Sequence, residues 1–168
     1  MSTSYRCNTC GELHEGLPFT WGSEAPAPYY DIPEDEREER VAISSDQCII
    51  DDEQFYILGR IEIPVLESDN CFYWLAWISL SEEDFERASA LWETRGRENE
   101  PPYSGELKSK LPCYSTPTVN LAAKLHTQPI GDRPRVELEP TEHPLFIEQR
   151  NGITIRRVQE IAEECMHN

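Results

Sequence analysis

The sequence predicts an α+β fold, a mainly antiparallel sheet of about five strands with two main helices packed on it and a Cys/His metal knuckle at the N-terminus. Three observations lead there. Gln47 to Pro64 alternates apolar and polar residues at the period of a strand. Cys71 to Leu80 is a run rich in Phe, Tyr, Trp and Ile. The segments after Ser81 and Thr154 place apolar residues at helical spacing behind a hydroxyl cap. A chain of 168 residues buries roughly 70% of the surface its unfolded form exposes, enough for one core. No repeat or composition break divides it, so residues 1–168 are expected to form a single domain, with residues 1–21 as an N-terminal appendage of it.

In order, residues 5 to 21 suggest a short strand, a Cys-containing turn and a Gly/Pro exit. Ala25 to Pro33 holds proline after proline, each restricting itself and the residue before it, and is expected to be an extended loop. Pro33 suits the first turn of a short, polar helix through about Arg40, with Glu34, Asp35 and Glu36 at the positive end of its dipole. A hairpin follows, with strands over 47–50 and 54–64. Phe55, Ile57, Ile61 and Ile63 share one face, and Gly59 marks a bulge or a close approach of another backbone. The strand over 71–80 is apolar enough for both faces to be covered.

Ser81 caps a helix from 82 to about 95, in which Phe85, Ala88, Leu91 and Trp92 recur on one side. Tyr103 to Pro117 is interrupted, a short strand or turn and then a loop. Further strands are expected over 121–128 and 135–139. His143-Pro144 opens a short helix that Asn151-Gly152 ends. Thr154 then caps a helix over 155–166 with an apolar stripe of Val158, Ile161, Ala162 and Cys165.

One stretch argues chemistry from spacing. Cys7 and Cys10 form a C-x2-C pair that lets two thiolates reach one metal from a tight turn, Gly11 permits the turn, and His14 adds a third ligand from the same loop. Zinc is the expected ion. Redox chemistry would want the first Cys at a helix N-terminus, and Gly11, Gly16 and Pro18 exclude a helix there. For the fourth ligand, Cys48 leads as a soft donor on a strand, ahead of His143, better explained as a helix-start residue, and His126. A fourth protein ligand makes the site structural, whereas a bound water in that place makes it catalytic, so a metal-dependent hydrolase is the competing reading.

The remaining Cys71, Cys113 and Cys165 are expected as mostly buried thiols. There is no secretory leader pattern and no run of eighteen apolar residues. A cytoplasmic setting is therefore expected, where six Cys stay reduced. Thirty-two acidic against fifteen basic residues give a formal charge of −17, which repels nucleic acid and anionic membranes; it is read first as keeping the protein in solution and next as suiting a basic protein partner. G-x-S-x-G, P-loop, G-x-G-x-x-G and H-E-x-x-H motifs do not occur.

The order of segments is itself distinctive. Cys-x-x-Cys-Gly-x-x-His-x-Gly-Leu-Pro from Cys7 is followed by Ser-Asp-Gln-Cys-Ile-Ile-Asp from Ser45, Glu-Ile-Pro-Val from Glu62 and Trp-Ile-Ser-Leu-Ser-Glu-Glu-Asp-Phe from Trp77. Pro-Pro-Tyr-Ser-Gly-Glu-Leu, Leu-Pro-x-Tyr, Arg-Pro-Arg-Val-Glu-Leu-Glu-Pro-Thr-Glu-His-Pro-Leu and Gln-Arg-Asn-Gly-Ile complete it. Over nearly its full length the chain resembles the bacterial domain of unknown function 2199 family. The resemblance implies a small bacterial cytoplasmic protein with the Cys-Cys-His start and carries no activity. The expected function is a noncatalytic zinc-stapled module for protein binding or regulation, toxin neutralisation among the roles its charge suits.

Overall fold

The computed structural model describes residues 4–14 and 16–167. Its chain order is β1 (Tyr5–Arg6), β2 (Leu13–His14), β3 (Thr20–Gly22), α1 (Ala27–Tyr30), α2 (Arg37–Arg40), β4 (Val41–Ile43), β5 (Gln47–Ile50), β6 (Gln54–Pro64) and β7 (Cys71–Leu80). After these come α3 (Glu82–Ala90), β8 (Tyr103–Leu107), β9 (Ala122–His126), β10 (Arg135–Leu138), α4 (Pro144–Asn151) and α5 (Ile155–His167). The α+β class is as the sequence predicts. The sheet is not the open antiparallel one: β6, β7, β8, β9 and β10 close into a barrel, and among the described residues five α-helices accompany it where two main and two short ones were expected.

Alternation along the strands dictates which faces are buried. Phe55, Ile57, Ile61 and Ile63 of β6 and Phe72, Trp74, Ala76 and Ile78 of β7 line one cluster, which also takes in Cys7, Leu125, Val136 and the Val158, Ile161 and Ala162 stripe of α5. The opposite faces contribute Tyr56, Leu58 and Trp77 to a second cluster with Ile32, Cys48 and Ile50, so β6 and β7 are covered on both sides there. Apolar residues on one face of a sheet need it to curl if they are to meet, and closure is made at glycines. A Cβ on Gly59 would lie 2.7 Å from Val136 Cγ2 and 3.2 Å from the Pro134 carbonyl. Close approach, with no break in the β6–β7 register, is thus the role of Gly59. Beside it the Arg60 amide donates to the Pro134 carbonyl at 2.9 Å and Arg135 pairs with Arg60 in parallel, closing the ring. Gly105 does the same where β8 crosses β7.

Two local expectations are corrected. Ala25 to Pro33 includes the single-turn helix α1, because Pro28 sits in a first turn, where no amide donor is needed. The helix expected over 82–95 stops at Ala90. Its cap is as expected, the Ser81 hydroxyl accepting from the Asp84 amide at 3.1 Å, but the chain then tightens into turns such as Trp92 N to Ser89 O at 3.2 Å.

Arg97, which sequence patterns did not single out, is buried at 7% exposure. Its guanidinium donates to the carbonyls of Trp92, Gln128, Pro129 and Asp132 at 2.8 to 3.0 Å. It therefore fixes the 127–132 turn against the end of α3. Arg97→Ala would leave these acceptors poorly paired and is expected to reduce stability by about 3 kcal/mol, a fall in melting temperature of about 5–10 °C by calorimetry. Among the described residues no helix is long and apolar enough to cross a membrane.

Candidate metal centre

The knuckle is built from a two-stranded hairpin. β1 pairs with β2 so that Tyr5 faces His14 and Arg6 faces Leu13. Between them the Cys7 amide donates to the Glu12 carbonyl and the Gly11 amide to the Cys7 carbonyl, both at 2.9 Å. Gly11 takes φ +76°, a left-handed conformation that costs glycine little and closes the turn after the second Cys. Cys10 and His14 then lie on the same side, Sγ to Nε2 3.3 Å.

The fourth group comes from the other end of the chain. Cys7 Sγ lies 3.3 Å from Nε2 of His167, the last residue of α5, across 160 positions of sequence. One ligand atom from each of Cys7, Cys10, His14 and His167 falls within 4.8 Å of the others, close enough to hold a metal ion. Cys7 is buried at 1% exposure, His14 half-buried, and Cys10 and His167 exposed. Burial pushes the Cys7 thiol up, but the amides of Cys10 and Thr9 and then the Cys10 and His167 side chains outweigh it, bringing the thiol to about 7. Such a thiol is readily a thiolate, the form in which sulfur ligates.

Three contacts set α5 against the knuckle. Glu163 Oε1 accepts from the Asn8 amide at 2.8 Å, Gln159 Nε2 donates to the Arg6 carbonyl at 2.9 Å, and Tyr5 donates its hydroxyl to Met166 Sδ at 3.3 Å. The other end of α5 is fixed by Arg157, whose Nε donates to Glu148 Oε2 at 2.8 Å, while Glu148 Oε1 accepts from the Tyr114 hydroxyl at 2.6 Å. The Asn8 amide, ahead of opposing burial, holds the Glu163 carboxyl below its ordinary range. A depressed folded value means that this contact contributes fully above the unfolded carboxyl value of about 4.3 and is lost as pH falls through the folded one. In metal-free protein, Glu163→Gln is therefore expected to weaken stability at pH 7 and to flatten its loss between about pH 5 and 3, as read by urea unfolding.

Cys48, the sequence's leading fourth ligand, is elsewhere. It sits in the second core cluster at 0% exposure, with Ile50, Tyr56, Leu58 and Trp77, and burial pushes its thiol up to about 11. A strand donor is drawn into the core by its neighbours' alternation, and this one faces away from the knuckle. His143 caps α4, Nδ1 accepting from the Leu145 amide and Nε2 facing the Thr116 carbonyl, each at 3.0 Å. His126 pairs with Glu137 at 3.2 Å. Cys71, Cys113 and Cys165 are half-buried.

The family model described as "Uncharacterized protein conserved in bacteria (DUF2199)" matches residues 6–153, a span that holds Cys7, Cys10 and His14 and stops before α5 and its His167. No curated protein and no solved structure matches the chain. With nearly all of the barrel and the knuckle inside the matched span, the chain belongs to that bacterial family.

Proposed function

We propose that the protein is a noncatalytic, zinc-stapled binding protein of the bacterial cytoplasm, in which Cys7, Cys10, His14 and His167 hold one zinc ion and the acidic surface engages a basic protein partner. The observation that carries the metal reading is the meeting of two sulfurs and two imidazole nitrogens within 4.8 Å from opposite ends of the chain. Zn–S near 2.3 Å and Zn–N near 2.0 Å set the S···N edge of a tetrahedron at about 3.5 Å. The two measured S···N pairs, at 3.3 Å, are already close to it. Two thiolates with two imidazoles are a donor set that suits zinc above the hard cations.

Four protein ligands leave no open position for a water nucleophile, which supports a structural centre over the metal-dependent hydrolase. Bound zinc supplies a cross-link between the hairpin and α5. The partner reading rests on the charge of −17, to which the exposed Glu34, Asp35, Glu36, Glu38 and Glu39 contribute beside the edge strand β4. A regulatory or toxin-neutralising role fits that charge. Six free thiols support a reducing compartment.

Elemental analysis of protein purified without added metal tests the first half. About one zinc per chain is expected, falling sharply in Cys10→Ser, and an absence of stoichiometric zinc in the parent rejects it. Pull-down at low salt tests the second half. A basic protein released as salt rises is expected, and capture of none rejects the partner.

A further inference from the structure

Away from the metal centre, two arginines share one groove where α4 meets β10. Val136 and Leu138 of β10 turn into the core, so Arg135 and Glu137 face outward. Arg135 is fixed on the barrel by pairing with His126 and, in parallel, with Arg60. Gln149 clasps the same strand with both ends of its amide, Nε2 donating to the Val136 carbonyl at 2.7 Å and Oε1 accepting from the Leu138 amide at 3.0 Å. Arg150, the next residue of α4, is thereby held beside β10. Both arginines line a groove of about 470 Å³ whose apolar wall is made by Pro64, Leu138, Pro140 and Phe146. Each carboxylate on this groove already faces another basic group: Glu62 Oε1 lies 3.0 Å from Arg60 Nε, Glu137 Oε1 3.2 Å from His126 Nε2 and Glu139 Oε1 3.8 Å from Lys124 Nζ. Among the described residues no carboxylate pairs with Arg135 or Arg150. Arg6, Arg37 and Arg97, which also lack a carboxylate, donate instead to backbone carbonyls. With thirty-two acidic residues available to fifteen basic ones, two guanidinium groups left over on one groove point to an anion from outside the chain.

We propose that this groove binds a small organic oxyanion, a carboxylate or a phosphate ester, with its charged end on Arg135 and Arg150 and its apolar body against Phe146 and Pro140. Guanidinium groups pair through two parallel N–H donors with either oxyanion, which is the chemistry the two share. The volume falls in the range of about 300–1,000 Å³ usual for small-molecule sites. The net charge of −17 does not forbid the binding, because at about 0.1 M salt charges farther off than about 10 Å are largely screened and the local set governs. That set is positive: Arg60, Lys124, Arg135 and Arg150 stand against Glu62, Glu137 and Glu139. The site shares no residue with the metal centre and is independent of the zinc and partner readings.

The test is titration of the isotope-labelled, reduced protein as purified with phenyl phosphate, phenylacetate and inorganic phosphate at about 0.1 M salt, read by backbone amide chemical shifts. Saturable shifts confined to residues 62–64, 124, 135–140 and 146–150 are expected with phenyl phosphate or phenylacetate, and the tighter of the two assigns the oxyanion as phosphate or carboxylate. Inorganic phosphate, which has no apolar body, is expected to bind about tenfold more weakly than phenyl phosphate. Arg135→Gln and Arg150→Gln are each expected to weaken binding about tenfold by removing one charge-assisted pair, and their amide spectra show directly whether the fold is kept. Arg95→Gln, the same change of charge outside the groove, is expected to leave binding as it was. No saturation by any probe up to about 20 mM overturns the proposal, as do shifts centred on the hairpin 5–14 or equal weakening by Arg95→Gln. Binding unchanged in both groove variants overturns it too. Inorganic phosphate binding as tightly as phenyl phosphate overturns the part given to the apolar wall.

Discussion

Stripping the metal from zinc-loaded, reduced protein with a chelator is expected to lower its melting temperature by about 10 °C or more and to release α5 before the barrel unfolds. The size follows from what the ligands join. Cys7 and His167 are 160 positions apart. A cross-link closing a loop of that length removes about 5 kcal/mol of entropy from the unfolded chain in the loop-closure account, and each kcal/mol is about 2–4 °C in a chain of this size. What remains to hold α5 is its stripe of Val158, Ile161 and Ala162, the Arg157–Glu148 pair and the hydrogen bonds that Glu163, Gln159 and Met166 make with the hairpin. His167→Ala separates the staple from the local knuckle, for it keeps Cys7, Cys10 and His14 while cutting the tie. Its loaded form is expected to melt close to the stripped parent, with faster hydrogen exchange confined to α5 and the hairpin. Melting at the temperature of the loaded parent would show that the helix does not depend on the ion.

Gly105→Ala is expected to destabilise the protein by about 3 kcal/mol or more, larger than the response to most strand substitutions. A Cβ at this position would stand 2.1 Å from the Ser79 carbonyl oxygen and 2.8 Å from Ile78 Cγ2. The first of these is backbone in β7 and cannot rotate away. β8 must lift from β7, where their pairing consists of Ile78 with Leu107 and Ser79 with Glu106. Gly59→Ala should follow at about 1–3 kcal/mol, since its nearest neighbour is the movable methyl of Val136. Urea unfolding of both variants orders them, and a Gly105→Ala protein as stable as the parent would mean that the strands do not cross this closely.

Much of this was legible along the chain and little of it across the chain. Period-two alternation placed β5 and β6, and a run of aromatic and branched residues placed β7, with the bounds observed, because each of these strands is buried by residues that announce it locally. The barrel was not legible, because its closing contact joins Arg60 to Pro134 and Arg135, and neither partner carries a local sign of the other. Gly59 was flagged as a close approach without any indication of what approaches. Of the four residues whose possible ligand atoms meet, Cys7, Cys10 and His14 were singled out by spacing. His167 was not, since it reaches the knuckle only through the packing of α5, and a histidine ending an amphipathic helix has many plainer explanations. Cys48 drew notice because sulfur is a good ligand, yet the same softness suits a thiol to a core among Ile50, Tyr56 and Trp77.

Enclosure of one zinc ion by four side chains from two ends of the chain is what the proposed staple requires. Its most direct test is the metal-edge X-ray absorption spectrum of protein purified without added metal. A zinc shell of about two sulfurs near 2.3 Å and about two nitrogens near 2.0 Å is expected, with one nitrogen lost in His167→Ala. An oxygen in the fourth position of the parent protein, or a His167→Ala shell identical to the parent's, would contradict it.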